Sequence, residues 1–378
     1  MSVVTVENSS VNHVVAQGRS VTGDSIDGGR TIMEAIAETH GGGVVLPNCN
    51  MSNAGYTING ARPDTPDDAR AVLISDARRF GLGTHGYRGV LGAPPGDQLE
   101  RARDVRRGLE AFSPLEVFSS SSDLRSRYRQ LGEQVAPGLE ADLLIDKLLL
   151  VGDRPDRGGY TDQELETFGL RRSPEFGRLQ EYLPDLGGDD LQAQAALAFL
   201  LAKYGLASSL TFGLDEAPYR QSPDDLTLLG SPVAFDFAHS NHVLSQNINW
   251  VRMMEVVDAL ITLLKEEPHG NGSMWDQSLV YIATDFGRTK DRPVGSDLWS
   301  FGSAHDLNNG VVVISPKIKG NRVFGGIDPD TLLTYGYDPG TGDPVPGSRM
   351  TSGHVYSLVC QALGVDFPGR HDMSGLLR

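Results

Sequence analysis

The chain has 378 residues, 33 Lys and Arg against 49 Asp and Glu for a formal net charge of −16, and 39% hydrophobic residues. That length carries one large or two smaller domains with a sizeable core. The acidic balance argues against wrapping nucleic acid or lying on an anionic membrane, since both need clustered Lys and Arg. The longest apolar stretches, such as Ala141–Val151, are broken by charge and fall short of the roughly 20 residues that cross a bilayer, so no membrane span is expected.

The first residues, Met1–Ser10, lack the basic region and apolar run of an export signal. The two cysteines, Cys49 and Cys360, form no CxxC pair and are read as free thiols.

In chain order, Val3–Val6 reads as a strand, followed by a helix opening near Ile26 and closing at Gly41, and a short apolar strand at Gly43–Leu46. Loop-rich segments at Asn59–Asp68 and Gly92–Gly96 give way to helical stretches around Gln98–Phe112, Leu124–Leu150 and Leu191–Tyr204. From Ser208 onward the pattern changes to short apolar runs, read as buried strands at Ser208–Phe212, Pro232–Phe235, Leu279–Thr284 and Val311–Ser315.

Between the second and third of these strands, Leu244–Glu267 repeats apolar residues at helical spacing (Ile248, Val251, Met254, Val257, Leu260, Leu264). This predicts a β-α-β unit in a parallel sheet, with ligands bound outside the carboxyl ends of the strands.

The residues that can carry chemistry cluster in that half. Asp236, His239 and His242 follow the second predicted strand, and Asp with His is a transition-metal vocabulary. Asp285, Gly287 and Arg288 follow the third, where Arg288 can fork onto an anion. His305 precedes the fourth, at the opposite end of its strand, and the long Lys290–Ala304 loop is expected to return it to the same rim. Each segment has a plainer reading: a helix-capping Asp with surface histidines, an Asp285–Arg288 turn pair, and a loop histidine. His354 and His371 are read as surface or helix-face residues, Gly83-Thr84-His85-Gly86 as a turn, and Cys49 as structural.

Three motifs, Asp236 with His239, Asp285-Phe286-Gly287-Arg288-Thr289 with His305, and Lys319-Gly320-Asn321-Arg322-Val323-Phe324-Gly325, resemble in order, and in the helix between the first two, the alkaline-phosphatase/sulfatase superfamily. The resemblance is to its branch termed domain-of-unknown-function family 1501, over roughly Phe235 to Val365. The segment Ser10-Val11-Asn12-His13-Val14-Val15-Ala16-Gln17 is similar to the part of that family near its nucleophile.

The resemblance implies an α/β fold with a mostly parallel sheet flanked by helices, as one domain with a helical insertion at about 98–204 and a metal-site half at about 208–378. It also implies a divalent metal (zinc, manganese or calcium) held by Asp236, His239, His242, Asp285 and His305, with Arg288, Ser10 and Asn12 as catalytic positions. The expected substrate is a small anionic ester or a sulfated or phosphorylated glycan, and the location periplasmic or extracellular, with the cytoplasm as the alternative because Met1–Ser10 carry no export signal.

Two functions fit this pattern. One is metal-dependent hydrolysis of phosphate or sulfate esters. The other is a non-catalytic binding or assembly protein on the same fold. Asn12 favours the second, because it stands where the family has a hydroxyl and an amide is no nucleophile. So does the opening Gly-Gly-x-Asp strand of the family, which has no counterpart ahead of Met1. The family's Asp-His pair reads Ala304-His305 here, with Asp306 one position on.

Overall fold

The computed structural model describes residues 1–52, 60–83, 144–214, 234–289 and 301–378, the backbone of 216–222 and 225–230, and a few isolated positions at 97–108 and 294–295. The chain divides into two compact units, Met1–Ser75 with Leu201–Arg378, and Asp76–Leu200. The second unit begins ahead of the helical insertion placed at about 98–204. Its described part is helical, with helices at Leu144–Leu148, Asp162–Thr167 and Phe176–Tyr182 and most of the helix Asp190–Lys203. The expected Gly92–Gly96 loop, nine of the fifteen residues of the Gln98–Phe112 helix and the first twenty residues of the Leu124–Leu150 helix lie outside the described residues; the six described positions of Gln98–Phe112 are helical.

The larger unit opens with β1 (Ser2–Glu7), then α1 (His13–Thr22) and α2 (Ile32–His40). The single helix expected from Ile26 to Gly41 is therefore replaced by two. The reason is local: Gly23, Asp24 and Ser25 all take left-handed backbone angles, which end α1, and Thr31 with Glu34 forms a reciprocal capping box that starts α2. Between them Asp27, fully buried, pairs with Arg30 and Arg62.

Next come β2 (Asn48–Asn50), β3 (Val72–Leu73) and β4 (Ser209–Thr211), which form a small parallel sheet in the order β3-β2-β4. The strand expected at Gly43–Leu46 is a turn instead. Gly43 is left-handed and the Val44 N–H bonds the Gly41 carbonyl, so the extended run starts only at Asn48.

The long helix α3 (His242–Glu266) is capped by Asn241, whose side chain accepts from the Leu244 N–H at 3.3 Å. It is followed by β5 (Val280–Ile282), β6 (Gly287–Arg288), β7 (His305–Asp306), β8 (Asn308–Ile314), β9 (Arg322–Phe324) and α4 (Ser352–Ala362).

The main sheet has the order β9-β1-β8-β5. β1 is antiparallel to β8, with Ser2 opposite Val313 and Glu7 opposite Asn308, and parallel to β9. β8 is antiparallel to β5. The architecture is mixed α/β, and the mostly parallel sheet expected above is corrected to one in which two of three pairings are antiparallel. The predicted β-α-β unit fails for a related reason: Ala234 and Phe235 lie in a turn ahead of a short 3₁₀ helix, Asp236–His239, and β5 after α3 runs against its neighbour. Pro232 and Val233 lie outside the described residues.

The core sits on one face of this sheet. Val4, Val6, Val311, Val313 and Phe324 meet Ile32 and Ala35 of α2 and Val355, Tyr356, Leu358 and Val359 of α4, all buried. Each fully buried aliphatic side chain contributes about 1.5–3 kcal/mol, more than a single hydrogen bond of the ladder at about 1 kcal/mol. Packing on the two helices therefore dominates the stability of so narrow a sheet. Among the described residues no helix is long and apolar enough to cross a membrane, and Cys49 and Cys360 are buried free thiols.

Candidate metal centre

The strand directions decide where the chemistry gathers. Because β1 and β5 both run against β8, the carboxyl ends of β1 and β5 and the amino end of β8 share one edge of the sheet. Asn8 and α1 leave from the first, Asp285 from the second, and His305 sits just ahead of the third. As expected, the chain returns to this rim after Arg288: β6 and β7 pair antiparallel, with Arg288 opposite His305.

At this edge His13, His239 and His305 each offer a ring nitrogen, and these atoms lie within 4.8 Å of one another. Three histidines are thus close enough to hold a metal ion. His13 opens α1, whose start is set by Asn12: the Asn12 side chain accepts from the Val15 N–H at 3.2 Å. His239 closes the 3₁₀ turn ahead of α3.

Phe286, buried, packs under the cluster, with its ring centroid 4.6 Å from that of His13 and 4.1 Å from that of His305. Gly287 is required beside it, since a Cβ there would lie 1.7 Å from the Asn308 carbonyl oxygen.

The hydrogen bonds assign the tautomers. The His305 Nδ1 lies 2.8 Å from the Val11 carbonyl oxygen, an acceptor, so Nδ1 carries the proton and Nε2 the lone pair. Burial holds the His305 imidazole below the ordinary histidine range, with the Val11 bond working in the opposite direction. His13 donates through Nδ1 to the Asp285 carboxylate, which leaves the lone pair on its Nε2. The second Asp285 oxygen accepts from the Phe286 N–H at 2.9 Å, and its backbone carbonyl accepts from the Asn8 side chain. Arg288 Nη1 lies 3.1 Å from the His239 Nε2 and donates to it, so that nitrogen also presents a lone pair.

The His239 and His305 Nε2 atoms stand 2.8 Å apart, within hydrogen-bond distance. The residue types and spacing fit a metal ion, three imidazoles within 4.8 Å of one another, with a carboxylate behind His13 and a backbone carbonyl behind His305.

The remaining expected residues fall around this cluster. Asp285 lies behind His13. Arg288 is half-buried and donates through Nη2 to the Phe235 carbonyl at 2.9 Å; burial pulls it below its ordinary value, the charges of Asp285 and then Asp236 work in the opposite direction, and it remains cationic. Asp236 is exposed on the 3₁₀ turn.

His242 is turned aside. Its Nδ1 bonds the Ser303 hydroxyl at 2.8 Å and its ring stacks on Phe301, with burial and then the Arg288 charge depressing its pKa. Asn12 is engaged as the α1 cap, and the Ser10 hydroxyl accepts from the Asn12 N–H at 3.1 Å. Thr84, His85 and Gly86 lie outside the described residues. Sequence reasoning did not single out His13 or Asn8. The available signal was a histidine directly after a capping Asn that follows a strand, since such a residue is carried on the strand's own edge of the sheet.

No family model, curated protein or solved structure matches the chain.

Proposed function

We propose that this chain is a zinc-dependent hydrolase of phosphate or sulfate esters, with the metal on His13, His239 and His305. The observation that carries the reading is the clustering of ring nitrogens of His13, His239 and His305 within 4.8 Å of one another, beside a guanidinium. Three imidazoles suit zinc, whereas calcium takes six to eight oxygens and manganese favours carboxylates. Supporting it is the resemblance of the Asp-Phe-Gly-Arg-Thr segment and its neighbours to the alkaline-phosphatase/sulfatase superfamily.

When bound, such an ion acts as a Lewis acid on an ester oxygen or on water. The residues of the chain then divide the remaining work. Asp285 holds His13 in one tautomer and orientation, and the Val11 carbonyl does the same for His305. Arg288 orients the anionic group, its planar fork matching the geometry of a phosphate or sulfate. Asn12 takes no chemical part; by capping α1 it places His13 at the helix start, with Ser10 on the same turn.

The competing reading, a non-catalytic binding protein with one structural metal, is favoured by the engagement of Asn12 in that cap. One experiment separates them: metal content of the purified protein by plasma mass spectrometry, with turnover of an aryl phosphate and an aryl sulfate. Hydrolysis with about one zinc per chain, both lost in His13→Ala and His305→Ala, is the expected result. Zinc without turnover would favour the binding protein. No metal after soaking in zinc would remove the site.

A further inference from the structure

Arg288 is tied to this site in a way its role as an anion anchor does not require. Its Nη1 donates to the His239 Nε2 at 3.1 Å, the same nitrogen that faces His305. An imidazole nitrogen has one lone pair, so His239 can bond the guanidinium or a metal ion, but not both. The guanidinium is otherwise held by backbone acceptors, Phe235 at 2.9 Å through Nη2 and Ser303 at 3.4 Å through Nη1, the second a long bond, so the planar group can pivot about its Phe235 bond and carry Nη1 off His239. It also brings a positive charge against the place a cation would occupy.

We infer that Arg288 couples the two occupants of the site, withholding His239 from a metal ion until an oxyanion draws Nη1 away. Zinc and a tetrahedral oxyanion then bind cooperatively, in either order. This rests on the reading of the three histidines as a metal centre, and it adds that the metal is held weakly when no anion is present. The oxyanion supplies a stronger, charge-assisted acceptor for the guanidinium than a neutral imidazole nitrogen, and it offsets the repulsion between guanidinium and metal. Coupling of this kind is reciprocal, each ligand tightening the other by the same factor, with 5- to 150-fold a typical range.

The test is calorimetric titration of the metal-free chain with zinc, in sulfate and in chloride at matched ionic strength. Saturating sulfate is expected to lower the zinc Kd on the order of tenfold, and bound zinc to lower the sulfate Kd by the same factor. In Arg288→Ala, checked for folding by its thermal melt, zinc is expected to bind more tightly than to the wild type in chloride and to ignore sulfate.

The wild-type arm decides even if that variant fails to fold. A zinc Kd unchanged by sulfate overturns the coupling and leaves the metal centre standing, whereas no zinc binding in either salt overturns both. Sulfate dependence that persists in a folded Arg288→Ala, without tighter zinc binding in chloride, means that the two ions meet directly, and it overturns the part assigned to Arg288.

Discussion

Asp285 shows how a residue is placed by the bonds it makes rather than by its chemical type. A carboxylate at the end of a strand reads as a ligand, yet here one oxygen receives the His13 Nδ1 proton and the other the Phe286 N–H. It acts through His13. Asp285→Asn keeps the shape but loses the charge, and its amide can turn a donor toward Nδ1. Zinc affinity is expected to weaken about 10- to 100-fold, the usual effect of removing a partner behind a metal-binding histidine, with the thermal melt of the metal-free protein little changed. Zinc titration followed by competition with a chelator measures it, and an unchanged affinity would make Asp285 a bystander. The types Asp, His and Arg were legible from the motifs. Which nitrogen faces inward was not, because a tautomer is set by partners such as the Val11 carbonyl, which lies 294 positions away in the chain.

At the scale of elements, the site depends on pairing direction. The periodicity of Leu244–Glu267 located α3 to within about two residues, and the apolar run at Leu279–Thr284 located β5. Neither pattern says whether neighbouring strands run together or opposed, since alternation and burial look alike in both.

The antiparallel β6–β7 pair is where this matters most, because it sets Arg288 opposite His305. Gly287→Ala would drive a methyl group into the Asn308 carbonyl. The expected cost is about 1–3 kcal/mol, typical of overpacking, together with weaker zinc binding as His305 shifts. Denaturant unfolding checks the first and calorimetry the second. A variant as stable as the wild type would show that the strand can move aside freely.

The stability of the whole molecule carries a pH dependence from a second pair of histidines, both read from sequence as surface or helix-face residues. His354 in α4 accepts the Thr351 N–H on Nδ1 at 3.2 Å and stacks on His371, with ring centroids 3.8 Å apart and planes within 7°. Burial, and next the charge of His371, push the His354 imidazole down to about 4 from an ordinary value of 6.5.

Between those values the unfolded chain binds more protons than the native one, so stability falls as pH drops from about 6.5 to about 4 and changes no further from this group below that. His242, His305 and His371 are depressed in the same direction, so the comparison is with His354→Gln. Its melting temperature should decline less steeply across that window. Parallel curves for the two proteins would show that His354 titrates normally in the fold.

The sequence by itself determined the mixed helix and strand content, the helical character of the described part of the inserted segment, the long helix beginning at His242, and two of the three clustered histidines, His239 and His305. Those follow from local periodicity, capping residues and side-chain chemistry, all of which are written within a few positions of one another. Only the tertiary structure decided that β1 and β5 both oppose β8, that Asn12 caps a helix and so delivers His13, and that His242 turns away to Ser303. Each of these depends on contacts between segments far apart in the chain, and the free energy that selects them comes from packing the sheet on α2 and α4 rather than from any preference of the residues at the site.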